Sequence, residues 1–121
     1  MNTLIIASLA LLFVHVSVLP LSFSLKHSQW LLGARDDALD LGVLALRAKR
    51  ASANYLESLP AFLGLMLLAK LDGVDLADLG LYWLASRAVY AAVYIAGTPF
   101  VRTVVWMVSL VILVMMAMAL L

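Results

Sequence analysis

Residues 39–69 read LDLGVLALRAKRASANYLESLPAFLGLMLLA, an apolar stretch interrupted in its first half by charged and amide side chains. As one helix of about 30 residues at 1.5 Å each it would be about 45 Å long, more than the roughly 30 Å hydrocarbon core of a bilayer requires. Its N-terminal part is therefore expected to project into the cytoplasm. Counting back about 20 residues from Lys70 sets the inner membrane boundary near Arg50 and places Glu57 about 10 Å inside it, as a candidate buried carboxyl. Arg47, Arg50, Asn54 and Glu57 are spaced by three, four and three residues, so they form one polar stripe on this helix.

The flanking sequence has the same character. Residues 3–25, 76–96 and 101–121 are further apolar stretches long enough to cross a membrane. The whole chain of 121 residues is 66% hydrophobic and only 12% charged, against about 45–50% apolar usage in ordinary soluble domains. We read one domain over residues 1–121, an all-α integral membrane bundle of four spans. The first stretch is taken as a span and not a cleaved leader, because a leader wants Lys or Arg ahead of a shorter apolar core and here the first basic side chain is Lys26.

The breaks fall at residues 28–37, at Lys70-Leu71-Asp72-Gly73-Val74-Asp75, and at Gly97-Thr98-Pro99, where Gly ends a helix and Pro suits the first turn of the next. Short loops imply an up-down antiparallel bundle. Lys26, Arg35, Arg47, Lys49 and Arg50 cluster at the first connection, whereas the second has Lys70 against Asp72, Asp75 and Asp78. Positive charge on the inside then puts the first and third loops in the cytoplasm and both termini in the periplasm or lumen.

Arg87, Tyr90 and Tyr94 repeat the stripe geometry on the third span, and Arg102 lies close to the same boundary. A charge at mid-helix costs about 2.5–3.5 kcal/mol on insertion scales, so such residues face a bundle interior or a wet cavity. Two readings stand. Glu57 and Arg87 could neutralise each other as a buried pair, with Tyr90 and Tyr94 as packing aromatics. Alternatively the stripes line a site for a small zwitterion, with cations for carboxylates, a carboxylate for an ammonium and an amide for peptide groups. The second also accounts for Arg50, Asn54 and Arg102.

Other groups are read structurally. His15 has no second His or carboxylate at metal spacing, so it is expected as a hydrogen-bonded packing residue, and no metal site is expected. Trp30, Tyr82 and Trp83 sit near span boundaries and are expected as interfacial anchors. Asp36, Asp37 and Asp40 are expected to favour the start of the second helix. The tail Met115-Met116-Ala117-Met118 suits lipid-facing or packing surface. The chain has no cysteine, hence no thiolate of its own, and its net charge of +1 offers no field for nucleic acid.

The segment Arg47-Ala48-Lys49-Arg50-Ala51-Ser52-Ala53-Asn54-Tyr55-Leu56-Glu57-Ser58-Leu59-Pro60 resembles the hallmark of the MAPEG family, the membrane-associated proteins in eicosanoid and glutathione metabolism. The family pattern is close to Arg-Ala-x-x-Asn-x-x-Glu-x-x-Pro, which Arg50, Ala51, Asn54, Glu57 and Pro60 match. Four spans, the chain length and the Arg87, Tyr90, Tyr94 and Arg102 series extend the likeness. Ser58 stands where eukaryotic members often have an aromatic, and the short chain looks more like a bacterial member, which would place it in an inner membrane.

The resemblance implies a homotrimer with sites between subunits near the cytoplasmic face, and glutathione as co-substrate. By motif position Arg50, Asn54 and Glu57 would hold its backbone and charged ends, Arg87, Tyr90 and Tyr94 would line the neighbouring wall, and Arg102 would stabilise the thiolate. The expected function is a membrane glutathione transferase, with or without peroxidase activity, joining glutathione to a lipophilic electrophile from the bilayer. The alternative is a non-catalytic MAPEG-like subunit or lipid-binding protein. A small four-helix transporter is a third class, but it would be expected to carry its carboxylate in the first span, which here has none.

Overall fold

In a computed structural model, which describes residues 1–19 and 42–121, the described chain is built from four helices. Helix α1 spans Asn2–Phe13 and continues through a π-helical turn at Val14–Val18. Helix α2 spans Gly42–Asp72, α3 Ala77–Ala96 and α4 Pro99–Ala119. The expected all-α architecture is observed, with one helix in each of the four apolar stretches. Lys26, Trp30, Arg35, Asp36, Asp37 and Asp40 lie outside the described residues.

The helix ends follow from local chemistry. Gly73 and Gly97 adopt φ of 71° and 81°, the left-handed conformation that closes a helix at little cost only for glycine. At each, the following amide reaches back five residues, Val74 N to Ala69 O at 2.9 Å and Thr98 N to Val93 O at 3.4 Å, satisfying carbonyls the helix leaves open. Pro99 then starts α4 without loss, since its missing N–H would have no partner there.

Cross-helix contacts fix the directions. Along α1 and α2, His15 meets Ser52, Ser8 meets Tyr55 and Asn2 meets Lys70, so one helix descends as the other rises. Between α2 and α3 the pairs are Arg47 with Ile95, Asn54 with Arg87, and Phe62 with Trp83. Between α3 and α4 Arg87 meets Ser109 and Arg102 stacks over Tyr94. The bundle is therefore up-down and antiparallel. Helices α3 and α4 are each long and apolar enough to cross a membrane; α2 carries its charges through a length of 31 residues.

The bundle is divided along its length. One half holds the apolar core, where Leu59, Phe62, Met66 and Ala69 of α2 pack with Trp83 of α3 and with Ile112 and Met116 of α4. The opposite half collects the polar stripes. Trp83 corrects the expectation of an interfacial anchor: it is fully buried and stacked on Phe62 at 4.1 Å. Its phase explains this, because Gly80, Trp83, Arg87 and Tyr90 repeat at three and four residues and form the inward stripe of α3. Tyr82, the adjacent residue, is 60% exposed and does face outward.

Helix α1 is fastened by hydroxyls from α2. Tyr55 donates to the Ser8 carbonyl at 2.7 Å, and Ser52 donates to the His15 carbonyl at 2.5 Å. The His15 ring is stacked on Tyr55 at 4.6 Å with Nδ1 2.8 Å from the Leu11 carbonyl, as a packing histidine. Interhelical bonds of this kind contribute on average about 0.6 and at most about 1.7 kcal/mol in membranes. Tyr55→Phe, which keeps the stack and removes the bond, should lower unfolding free energy in mixed micelles by about that range, while Phe62→Ala, which opens a core cavity, should cost about 3–5 kcal/mol.

Candidate functional site

A cleft of about 460 Å³ opens between α2, α3 and α4 in the polar half. Helix α2 contributes Arg50, Ala53, Asn54 and Glu57; α3 contributes Tyr90 and Tyr94; α4 contributes Arg102, Thr103 and Trp106. Six of the seven sequence-derived site residues thus meet at one place. The seventh, Arg87, does not line the cleft and lies behind it, 1% exposed.

The stripe on α2 separates into two rails. A step of seven residues returns almost to the same bearing, whereas a step of three turns the helix by about 60°. Arg47 and Asn54 share the rail that faces α3, where they bond Ile95 and Arg87. Arg50 and Glu57 share the rail rotated away from the core, and both are exposed in the single chain. Among the described residues Glu57 is therefore not the buried half of an ion pair and accepts no hydrogen bond. Its carboxylate is available to a ligand.

Arg87 is held by neutral groups. Its Nη2 donates to Asn54 Oδ1 at 2.5 Å and Nη1 makes a long contact of 3.5 Å with Ser109 Oγ. Its guanidinium carbon lies 4.5 Å from the Tyr90 ring centroid and 5.9 Å from that of Tyr55. Buried Nε has no acceptor among the described residues. With its carbonyl oxygen already bonded to Arg87, Asn54 can offer its amide nitrogen to the cleft it lines, as a hydrogen-bond donor.

The aromatic wall is continuous with the cations. Tyr90 and Tyr94 meet edge to face at 5.7 Å, and the Arg102 guanidinium carbon sits 4.7 Å over the Tyr94 ring. The cleft thus offers two guanidinium groups, Arg50 and Arg102, one carboxylate, Glu57, an amide donor and two phenols. That donor set suits a ligand with more than one anionic group and a single ammonium. Trp106 and Thr103 were not singled out in sequence; Arg102, Trp106 and Ser109 at i, i+4 and i+7 carry the same helical signal as the other stripes. Among the described residues, no three His, Cys, Asp or Glu side chains converge as a metal site.

A family model described as the MAPEG family matches residues 3–121. The chain belongs to the MAPEG family. No curated protein and no solved structure matches it. For a MAPEG chain the division of the bundle acquires a meaning: this is a helical membrane protein of a family concerned with glutathione and eicosanoid metabolism, and its hallmark residues Arg50, Asn54 and Glu57 lie on one cleft.

The Arg87–Asn54 bond predicts opposite outcomes for two substitutions of similar size. Asn54→Ala removes an acceptor from a buried cation and should cost about 1.5–3 kcal/mol of stability. Asn54→Asp supplies a carboxylate to Arg87 and should unfold no earlier than wild type, while losing the donor that faces the cleft. Thermal unfolding of the detergent-solubilised protein checks both.

Proposed function

We propose that this MAPEG protein is a membrane glutathione transferase that joins the glutathione thiolate to a lipophilic electrophile drawn from the bilayer. The observation that carries the reading is the meeting of Arg50, Asn54, Glu57, Tyr94 and Arg102 on one cleft of about 460 Å³ in a chain with no cysteine. A polar tripeptide with two carboxylates, one ammonium and a thiol matches that donor set. Arg50 takes a carboxylate, Glu57 the ammonium, and the Asn54 amide a peptide carbonyl.

Arg102 is assigned to the sulfur. A free thiol has a pKa of about 8.5, so only a few per cent is ionised at neutral pH. A guanidinium stays charged over the whole accessible range and lowers that pKa by ion pairing in a partly dehydrated site. A depression of two units corresponds to about 2.7 kcal/mol in favour of the thiolate. The thiolate attacks the electrophilic carbon, the C–S bond forms as the leaving group departs or a conjugated double bond accepts the electron pair, and the proton goes to solvent. Trp106 and the apolar faces of the tyrosines receive the lipophilic partner. In this reading the active form is a homotrimer in a bacterial inner membrane, with the cleft toward the cytoplasm, both termini periplasmic, and a neighbouring subunit covering the exposed Arg50 and Glu57.

Calorimetry in nanodiscs with glutathione, beside a second low-molecular-weight thiol, tests the assignment. Glutathione is expected to bind, and the absence of heat with either thiol overturns the reading. Glu57→Gln retains a hydrogen-bond acceptor but loses the charge, so affinity should fall roughly ten- to hundredfold, equivalent to about 1.5–3 kcal/mol.

Arg102→Leu separates binding from activation. Affinity, resting on Arg50, Asn54 and Glu57, should largely persist, while turnover and the ultraviolet signal of bound thiolate are lost and residual activity moves to higher pH. Wild-type turnover in this variant would transfer the activating role to the Tyr94 hydroxyl.

A further inference from the structure

Arg47 opens the polar stripe of α2 yet does not line the ligand cleft. Its Nη1 donates to the carbonyl of Ile95 at 3.1 Å, in the last turn of α3. Carbonyls at a helix C-terminus have no intrahelical donor, and a cation there also meets the negative end of the helix dipole. Gly97 lies against the same side chain: a Cβ placed on it would stand 2.6 Å from Arg47 Nη1 and 2.8 Å from Cζ. Gly97 is thus required twice, by its φ of 81° and by the guanidinium that occupies its side-chain space.

The start of α4 is referred to this reversal. Arg102 N donates to the Thr98 carbonyl at 3.0 Å, and Thr98 N reaches back to Val93 in α3. The Arg102 head then rests over Tyr94, also on α3. A continuous set of contacts therefore runs from Arg47 through the Gly97 turn to the guanidinium that faces the cleft.

We propose that Arg47 is a positioning residue that clamps the α3–α4 reversal and so sets where Arg102 stands over the cleft. The consequence for chemistry rests on the glutathione reading above, since it is the thiolate that senses Arg102. Coulomb attraction falls inversely with separation, and a misplacement on the order of 1 Å can cost up to a hundredfold in rate without removing any binding group. The rival role is direct: Arg47, Arg50 and Arg102 also border a smaller niche of about 210 Å³, where Arg47 could meet a ligand carboxylate.

Arg47→Met, Arg47→Lys and Gly97→Ala in nanodiscs distinguish these roles. Gly97→Ala removes no charge but displaces the Arg47 guanidinium, and Arg47→Lys keeps a cationic donor at position 47. Hydrogen exchange at the Thr98 and Arg102 amides, measured without ligand, should accelerate in Arg47→Met and Gly97→Ala and recover toward wild type in Arg47→Lys. Glutathione affinity should stay within about threefold, while the pH profile of turnover moves up by about one unit and turnover at neutral pH falls about tenfold. Normal exchange in both disruptive variants overturns the clamp, as does a more than tenfold loss of affinity in Arg47→Met with an unmoved pH profile, which makes Arg47 a ligand contact. If wild-type protein binds no thiol, the glutathione reading fails and the exchange result alone decides the clamp.

Discussion

A buried guanidinium whose partners among the described residues include no carboxylate has to be held by neutral groups, and the polar half of this bundle is arranged around that requirement. Arg87 is 1% exposed, and a cation at mid-membrane costs about 2.5–3.5 kcal/mol. A hydrogen bond to a charged group returns about 1.5–3 kcal/mol and a desolvated aromatic face about 2 kcal/mol. Asn54 supplies the first and Tyr90 the second, so these two neutral groups together offset the cost. The consequences reach the cleft. The Asn54 amide is turned, the Tyr90 ring is fixed, α2, α3 and α4 are tied at one level, and Glu57 is left without an ionic partner among the described residues.

The helices and the stripes were legible in sequence because they depend on local periodicity. Long apolar runs demand helices in a bilayer, and three- and four-residue spacing places side chains on one face whatever the neighbours are. Gly97 and Pro99 announced the third reversal through backbone constraints that do not depend on tertiary context. The fold and most of the cleft could be read at that level.

What required coordinates was the bearing of each face. Sequence allows Glu57 and Arg87 to be read as a buried pair, but the three-residue step from Asn54 to Glu57 rotates the carboxylate off the rail that meets α3. Trp83 sits near a span boundary, where depth favours an anchor, yet its phase on α3 carries it into the core against Phe62. Arg47 reads as one more member of a ligand stripe until its bond to Ile95 is seen. In each case position along the helix was readable and rotation about its axis was not.

The most direct test of this account is the structure of the protein in nanodiscs with glutathione bound. It should show the tripeptide in the cleft between α2, α3 and α4, its ammonium at Glu57, a carboxylate at Arg50 and its sulfur within ion-pairing reach of Arg102, with Arg87 still bonded to Asn54. Glutathione bound elsewhere, or a cleft closed by a direct Glu57–Arg87 pair, would contradict it.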